Sequence, residues 1–223
     1  MLKEKAITLG LKELGYIRCK RFIYKAGWSV PDVEHYLYFS MYGSPREFLA
    51  GDFGLRNEAA QSFGIKCVRA YGGAIYQFGA QDEPIQCYMR FPLGKIAGWN
   101  PRWSLTLSTQ PESALVNLIK GAVRDELFPV IRDVTNLGQL LSLLERDEEP
   151  VRWVHVNGAM RVAQIAYLAR VLGMGTVEIR SMLRHRENEV FAHLKGATMD
   201  CTSYIERVID DSEIAAHAGN ESL

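Results

Sequence analysis

Four cysteines in 223 residues are too few and too scattered to staple this chain. Cys19, Cys67, Cys87 and Cys201 include no C-x-x-C pair, so neither the spacing nor the chain length suits a disulfide framework, and a reducing compartment is expected. Cys19 and Cys87 alternate with polar neighbours and read as small buried hydrophobes. A charge excess is also lacking. The 26 basic and 26 acidic residues cancel, which argues against a general binder of nucleic acid or anionic membranes. No apolar run approaches the ~20 residues of a membrane span, and Met1-Leu2-Lys3-Glu4-Lys5 lacks the apolar core of a secretory leader. A cytoplasmic protein with no membrane association is the expectation.

Familiar chemical signatures are equally scarce. The five histidines, His35, His155, His185, His193 and His217, form no H-x-x-x-H or H-E-x-x-H pattern. Gly94-Lys95-Ile96 lacks the glycine spacing and the hydroxyl of a phosphate loop. Asp52-Phe53-Gly54 spells the kinase metal-binding tripeptide, but the glycine loop, strand lysine and His-Arg-Asp that should precede it are missing. No catalytic residue, cofactor or metal ligand is assigned, and an enzyme is the less favoured reading.

What the chain does have is two kinds of periodicity. Residues 16–109 alternate apolar and polar side chains in short runs, whereas 112–209 place apolar residues every third or fourth position. This predicts an α+β protein: a mostly antiparallel sheet of about five strands with packed helices, then a helical C-terminal region. An opening helix over 2–14, with Leu2, Ala6, Leu9 and Leu14 as its stripe, should stop at Gly15. Residues 16–25 read as one strand with a bulge or break near Lys20-Arg21, followed by a turn through Gly27, Ser29 and Pro31. Further strands are expected over 35–42, 48–56, 85–93 and 103–108, with 58–80 ambiguous and Gly72-Gly73 a turn.

Helices follow from Pro111 to a stop at Pro129, with Leu115, Leu118, Ile119, Ala122 and Val123 as the apolar face, and over 135–146. The charged run Glu145 to Pro150 sets a boundary between an α+β domain at 1–149 and a helical extension at 150–223. In that extension, helices are expected over 158–172, 176–194 and 199–209, with a fraying tail from Asp210.

The stretch Leu11-Lys12-Glu13-Leu14-Gly15-Tyr16, followed by Arg21-Phe22-Ile23-Tyr24-Lys25, resembles the opening of the domain of unknown function 4304 family. Tyr88-Met89-Arg90-Phe91-Pro92-Leu93-Gly94 and the Trp99 to Trp103 region are similar to that family's later strand and tryptophan region. The resemblance covers about 7–145 and departs at Tyr16, at the Lys20-Arg21-Phe22 spacing and after 150. It brings no activity and no catalytic residue. It implies a small bacterial accessory or immunity-type protein.

Three functional readings follow. The first is a non-enzymatic protein that binds another macromolecule, with a protein partner met by Tyr36, Tyr38 and Tyr42, which share one strand face. A covering helix would make the same tyrosines ordinary core. The second is a DNA-binding regulator. Residues 165–184 resemble a helix-turn-helix, with Ala169 at the crossing, Gly173 in the turn, and Thr176, Arg180, Ser181 and Arg184 facing outward, in a basic stretch. A packed αα-hairpin makes the same demands on glycine and apolar residues and is commoner. The third is a hydrolase whose site assembles in space from residues such as His35, Tyr88 and Arg90. Under either account of 165–184, Gly173 should adopt positive φ as the residue after the helix.

Overall fold

The computed structural model describes residues 2–43, 48–71, 89–99, 102, 104–107, 110–148, 158–191 and 199–220. In chain order the elements are α1 (Leu2–Glu13), β1 (Tyr16–Lys20), β2 (Ile23–Ala26), β3 (Glu34–Tyr42), β4 (Phe48–Arg56), α2 (Glu58–Tyr71), β5 (Met89–Pro92), α3 (Leu93–Ile96), β6 (Ser104–Thr106), α4 (Glu112–Gly121), α5 (Phe128–Ile131), α6 (Leu137–Glu145), α7 (Gly158–Val171), α8 (Thr176–Leu183), α9 (Glu187–Phe191) and α10 (Cys201–Asn220). The class is α+β, as the two periodicities require. No helix of the described residues is long and apolar enough to cross a membrane.

The chain divides into two units that interleave in sequence. The described residues of Met1–Arg56, Met89–Thr135 and Glu148–Val154 form the first, and those of Asn57–Tyr88, Asn136–Asp147 and His155–Leu223 the second. This is not the single cut expected at 149/150. Both α2 and α6 group with the C-terminal helices, because their apolar faces pack on α7.

The first unit is built on an antiparallel sheet in the order β1-β2-β3-β4-β5. β3 takes one whole edge of β4. On the other edge β5 pairs with Asp52 to Leu55 and β6 with Phe48 to Ala50, so six strands fill five columns. The alternation of β3 puts His35, Leu37 and Phe39 on the core face. α1 covers that face, burying Ile7 and Leu11 and linking Thr8 Oγ1 to Tyr24 Oη at 3.0 Å. Leu9, expected in the stripe, is 56% exposed, because the face that meets α4 runs through Ile7, Gly10 and Leu11.

The stretch expected as one strand at 16–25 is a hairpin. Lys20 pairs with Ile23 across Arg21-Phe22, and the register slips between Arg18 and Lys20, which leaves Cys19 exposed rather than buried. Phe22 holds φ at 57°, a conformation a bulky side chain resists. Burial of its ring holds the turn in place. The described part of 58–80 is the helix α2, capped by Asn57 Oδ1, which accepts from Ala60 N at 2.8 Å.

In the second unit α7 is the central helix, buried on every side from Gly158 to Ala166, with α2, α6, α8, α9 and α10 around it. The tail expected to fray from Asp210 is helical through Asn220, because Val208, Ile209, Ser212 and Ala216 continue one buried stripe. The single helix expected over 176–194 breaks at Arg184–Arg186 into a 3₁₀ turn that carries the Arg186 side chain inward.

Candidate functional site

Pro129 does not end its helix. It has no N–H to offer the carbonyl of Asp125, and its ring would strike that carbonyl in ordinary α register. The chain instead widens into a π segment over Ala122–Leu127 and resumes as α5 to Ile131. Leu127 and Ile131 are buried. Phe128 packs edge-on to Trp28 at 5.4 Å and stacks on Tyr16 at 6.5 Å. The helix that crosses Pro129 is therefore bolted to the sheet at its far end.

His35 adds the next fastening. Its Nε2 lies 2.7 Å from the carbonyl oxygen of Val134, just past α5. That oxygen can only accept, so Nε2 carries the proton, and Nδ1 has no partner among the described residues. Burial pushes the imidazole pKa down, against the weaker upward pull of the Val134 carbonyl. Folding therefore favours neutral His35. The unfolded chain binds the proton first as pH drops below about 6.5, so this contribution to stability is present above that value and is lost progressively below it. Urea midpoints should fall between pH 7 and pH 5. A His35→Gln chain should lose that part of the slope, and an identical slope in both chains would mean that His35 does not control it.

With its far end fixed, the outer face of α4 and the π segment borders an open cleft of about 670 Å³ in the first unit. Ala114, Gly121 and Ala122 keep the helix side low, and Leu118 stands 41% exposed. Trp99 is placed there by the turn after α3, where Gly98 takes φ of 61° and Trp99 N donates to Gly94 O at 2.8 Å. Gln110 and Asn117 add amides, and Asp125 and Glu126 add carboxylates. Arg124 binds both Asp125 oxygens, at 2.6 and 2.9 Å, and these bonds hold the Asp125 carboxyl below its usual range. Asp125 thus carries a negative charge at neutral pH, shared with Arg124 at the surface.

The residues singled out from sequence fall elsewhere. Tyr36 is buried under Lys25, whose Nζ lies 5.8 Å from the ring centre, Tyr38 is half-buried, and Tyr42 is exposed and stacked on Phe48 at 5.5 Å. They share one face of β3 without forming one exposed stripe. His35 is in the core and does not line the cleft. Arg90 pairs through its backbone with Gly54, and Tyr88 lies outside the described residues.

At 165–184 the structure is α7, a tight corner and α8. Arg180 grips Glu206 of α10 through two bonds of 2.7 and 2.6 Å, and the Thr176 hydroxyl accepts from Arg170 at 2.8 Å. Ser181 and Arg184 are exposed. Two of the four side chains expected to meet DNA are thus engaged within the protein. The corner is a Schellman motif: Met174 N donates to Ala169 O at 3.0 Å and Gly173 N to Arg170 O at 2.9 Å, with Gly173 at φ of 85°.

A side chain at Gly173 would meet nothing within 4 Å, so the cost of adding one is conformational alone. Gly173→Val should destabilise by about 1–2 kcal/mol. Gly175, at φ of −76° with open space around it, should accept Ser at no cost or with a gain of a few tenths as an N-cap. Urea melts of the two variants would show the contrast, and equal midpoints would remove the argument.

Sequence reasoning missed the cleft. Leu118 shares the apolar spacing of Leu115 and Ile119 yet lies 41% exposed, and nothing in the spacing around Trp99 marks it as a site residue. The one usable signal was the polar end of this helix at Asp125-Glu126, since Ala122, one turn before Glu126, is buried like a core residue. Among the described residues no group of histidine, cysteine and carboxylate side chains could hold a metal. No protein-family model, curated protein or solved structure matches the chain, so the reading of the site rests on its geometry.

Proposed function

We propose that this chain is a non-enzymatic binding protein, in an accessory or immunity-type role, that holds a segment of another macromolecule in the Trp99 cleft. The observation that carries the reading is the lining itself. An indole, an uncovered leucine and small residues provide apolar contact area, and a few amides and carboxylates give it polarity and direction, the mixture typical of binding clefts of this volume. The exposed carboxylates of Asp125 and Glu126 at the edge of the cleft suit recognition of a charged group. The fold supports the reading too, since the π-widened helix that forms one wall of the cleft is fastened to the sheet beyond it through Phe128 and His35.

The test is capture of a partner by the full chain and by two variants, Trp99→Ala and Leu118→Glu, each checked for an unchanged circular-dichroism spectrum. A protein identified with the parent chain and lost from both variants supports the proposal. A partner held equally by all three chains would place the binding surface elsewhere and overturn it.

A further inference from the structure

We propose that the occupant of this cleft is a lysine- or arginine-bearing segment of a partner protein, with its cationic head toward Asp125 and Glu126 and its aliphatic stem against Trp99. The inference rests on the cleft being the binding site, and it adds the chemistry of what enters. Among the described lining residues both charged groups are acidic and no lysine or arginine is present. Arg124 faces Asp125 in an exposed pair, with 60% and 54% of the two side chains open to solvent. Such a pair is weak and an incoming cation can compete with it. Glu126 is exposed and makes no ion pair among the described residues.

A ligand complementary to this lining needs a positive head and an apolar stem. Lysine and arginine side chains have that build, and an indole face attracts the cation as well as the methylenes. Gln110 and Asn117 decide between a peptide and a free polyamine. Each side-chain amide offers both a donor and an acceptor. A peptide group can use both, whereas a protonated polyamine has no acceptor for the amide N–H. The volume of about 670 Å³ exceeds one side chain and leaves room for neighbouring residues of a segment.

Fluorescein-labelled peptides of the form Gly-Leu-Xaa-Leu-Gly, with lysine, arginine, norleucine or glutamate at Xaa, test this by anisotropy against the full chain. The lysine and arginine forms should bind about tenfold more tightly than the norleucine form, with glutamate weakest. Glu126→Gln, an exposed change that leaves folding intact, should weaken the cationic forms about threefold and leave norleucine unchanged. Glu126→Lys should move the preference toward glutamate. Raising ionic strength to about 0.5 M should weaken the lysine form selectively. Equal binding of lysine and norleucine, abolished in both by Trp99→Ala, would overturn the charge argument and leave the cleft reading standing. Spermidine bound at the cleft with no peptide bound would overturn the choice of a peptide. Peptide binding indifferent to Trp99→Ala would defeat both.

Discussion

Replacing Arg186 with methionine should destabilise the second unit by about 3 kcal/mol. Arg186 is 1% exposed, and its guanidinium donates to Asp147 Oδ1 at 3.0 Å, Glu189 Oε1 at 3.0 Å and the carbonyl of Glu145 at 2.7 Å. Arg161, 4% exposed, completes the cluster. It donates to Leu144 O at 2.7 Å, Arg146 O at 2.9 Å, Asp147 Oδ1 at 2.7 Å and Glu189 Oε2 at 2.9 Å. The two arginines thus satisfy three carbonyls at the end of α6 that its own helix leaves open. Two carboxylates balance their two charges. Burial alone would raise the Asp147 carboxyl, but the donors from both arginines outweigh it and hold the pKa below the usual range.

Methionine fills most of the space and removes the charge, so the cost comes from the carboxylates and the Glu145 carbonyl left behind. The estimate sits at the low end for a broken buried pair because Asp147 is 53% and Glu189 32% exposed, so water recovers part of the loss. Arg186→Lys should cost about half as much, since it keeps the charge and loses the planar fork. The measurement is the urea midpoint of the full chain at pH 7. A change of under about 0.5 kcal/mol in the methionine variant would mean that the cluster makes no net contribution.

Gly158→Ala should be nearly as damaging, at about 2 kcal/mol, although alanine is the better helix former. A methyl group at Gly158 would sit 2.5 Å from the backbone oxygen of Glu189 and 2.7 Å from its carbonyl carbon. Backbone cannot rotate away, so α7 and α9 must separate. Glu189 is also the residue whose carboxylate binds Arg161 and Arg186, so that separation pulls on the same cluster. The Gly158→Ala and Arg186→Met losses should therefore not add, and a double-mutant cycle should show coupling. Gly64→Ala is the contrast. Its methyl would meet Met160 Sδ at 2.3 Å, the flexible part of a side chain, which can turn aside. A Gly64→Ala loss equal to that of Gly158→Ala would contradict the distinction between backbone and side-chain obstacles.

Some elements were legible because one local rule decided them. The alternation from His35 to Tyr42 fixes β3, since His35, Leu37 and Phe39 line one face of the strand, even though Tyr36 on the other face is covered too. Gly15 and Gly173 end α1 and α7 because each takes a left-handed conformation that glycine adopts without a Cβ clash. Other elements needed information from a distance. The irregular alternation near Lys20-Arg21 marked a break there, but not that the chain reverses: Lys20 to Ile23 turns sharply because the Phe22 ring gains burial that offsets its strained backbone. Asp210 onward looked polar enough to fray, yet one narrow stripe through Ser212 and Ala216 finds a buried site.

The candidate site shows the same division. Its composition was in plain sight at Trp99, Leu118, Asp125 and Glu126, but nothing local says which apolar row of α4 faces inward. Gly10 settles it, because α1 crosses there against Val116 and Lys120 and turns Leu115 and Ile119 to the core and Leu118 outward. By itself the sequence determined the α+β class, the strands whose period is two and the glycine stops, since backbone sterics and a single buried face act over a few residues. Only the tertiary structure decided the interleaving of the two units, the π segment that carries the helix across Pro129, the arginine cluster at the end of α6 and the opening of the cleft. Each depends on which distant surface covers a side chain, and burial by a distant surface has no period along the chain.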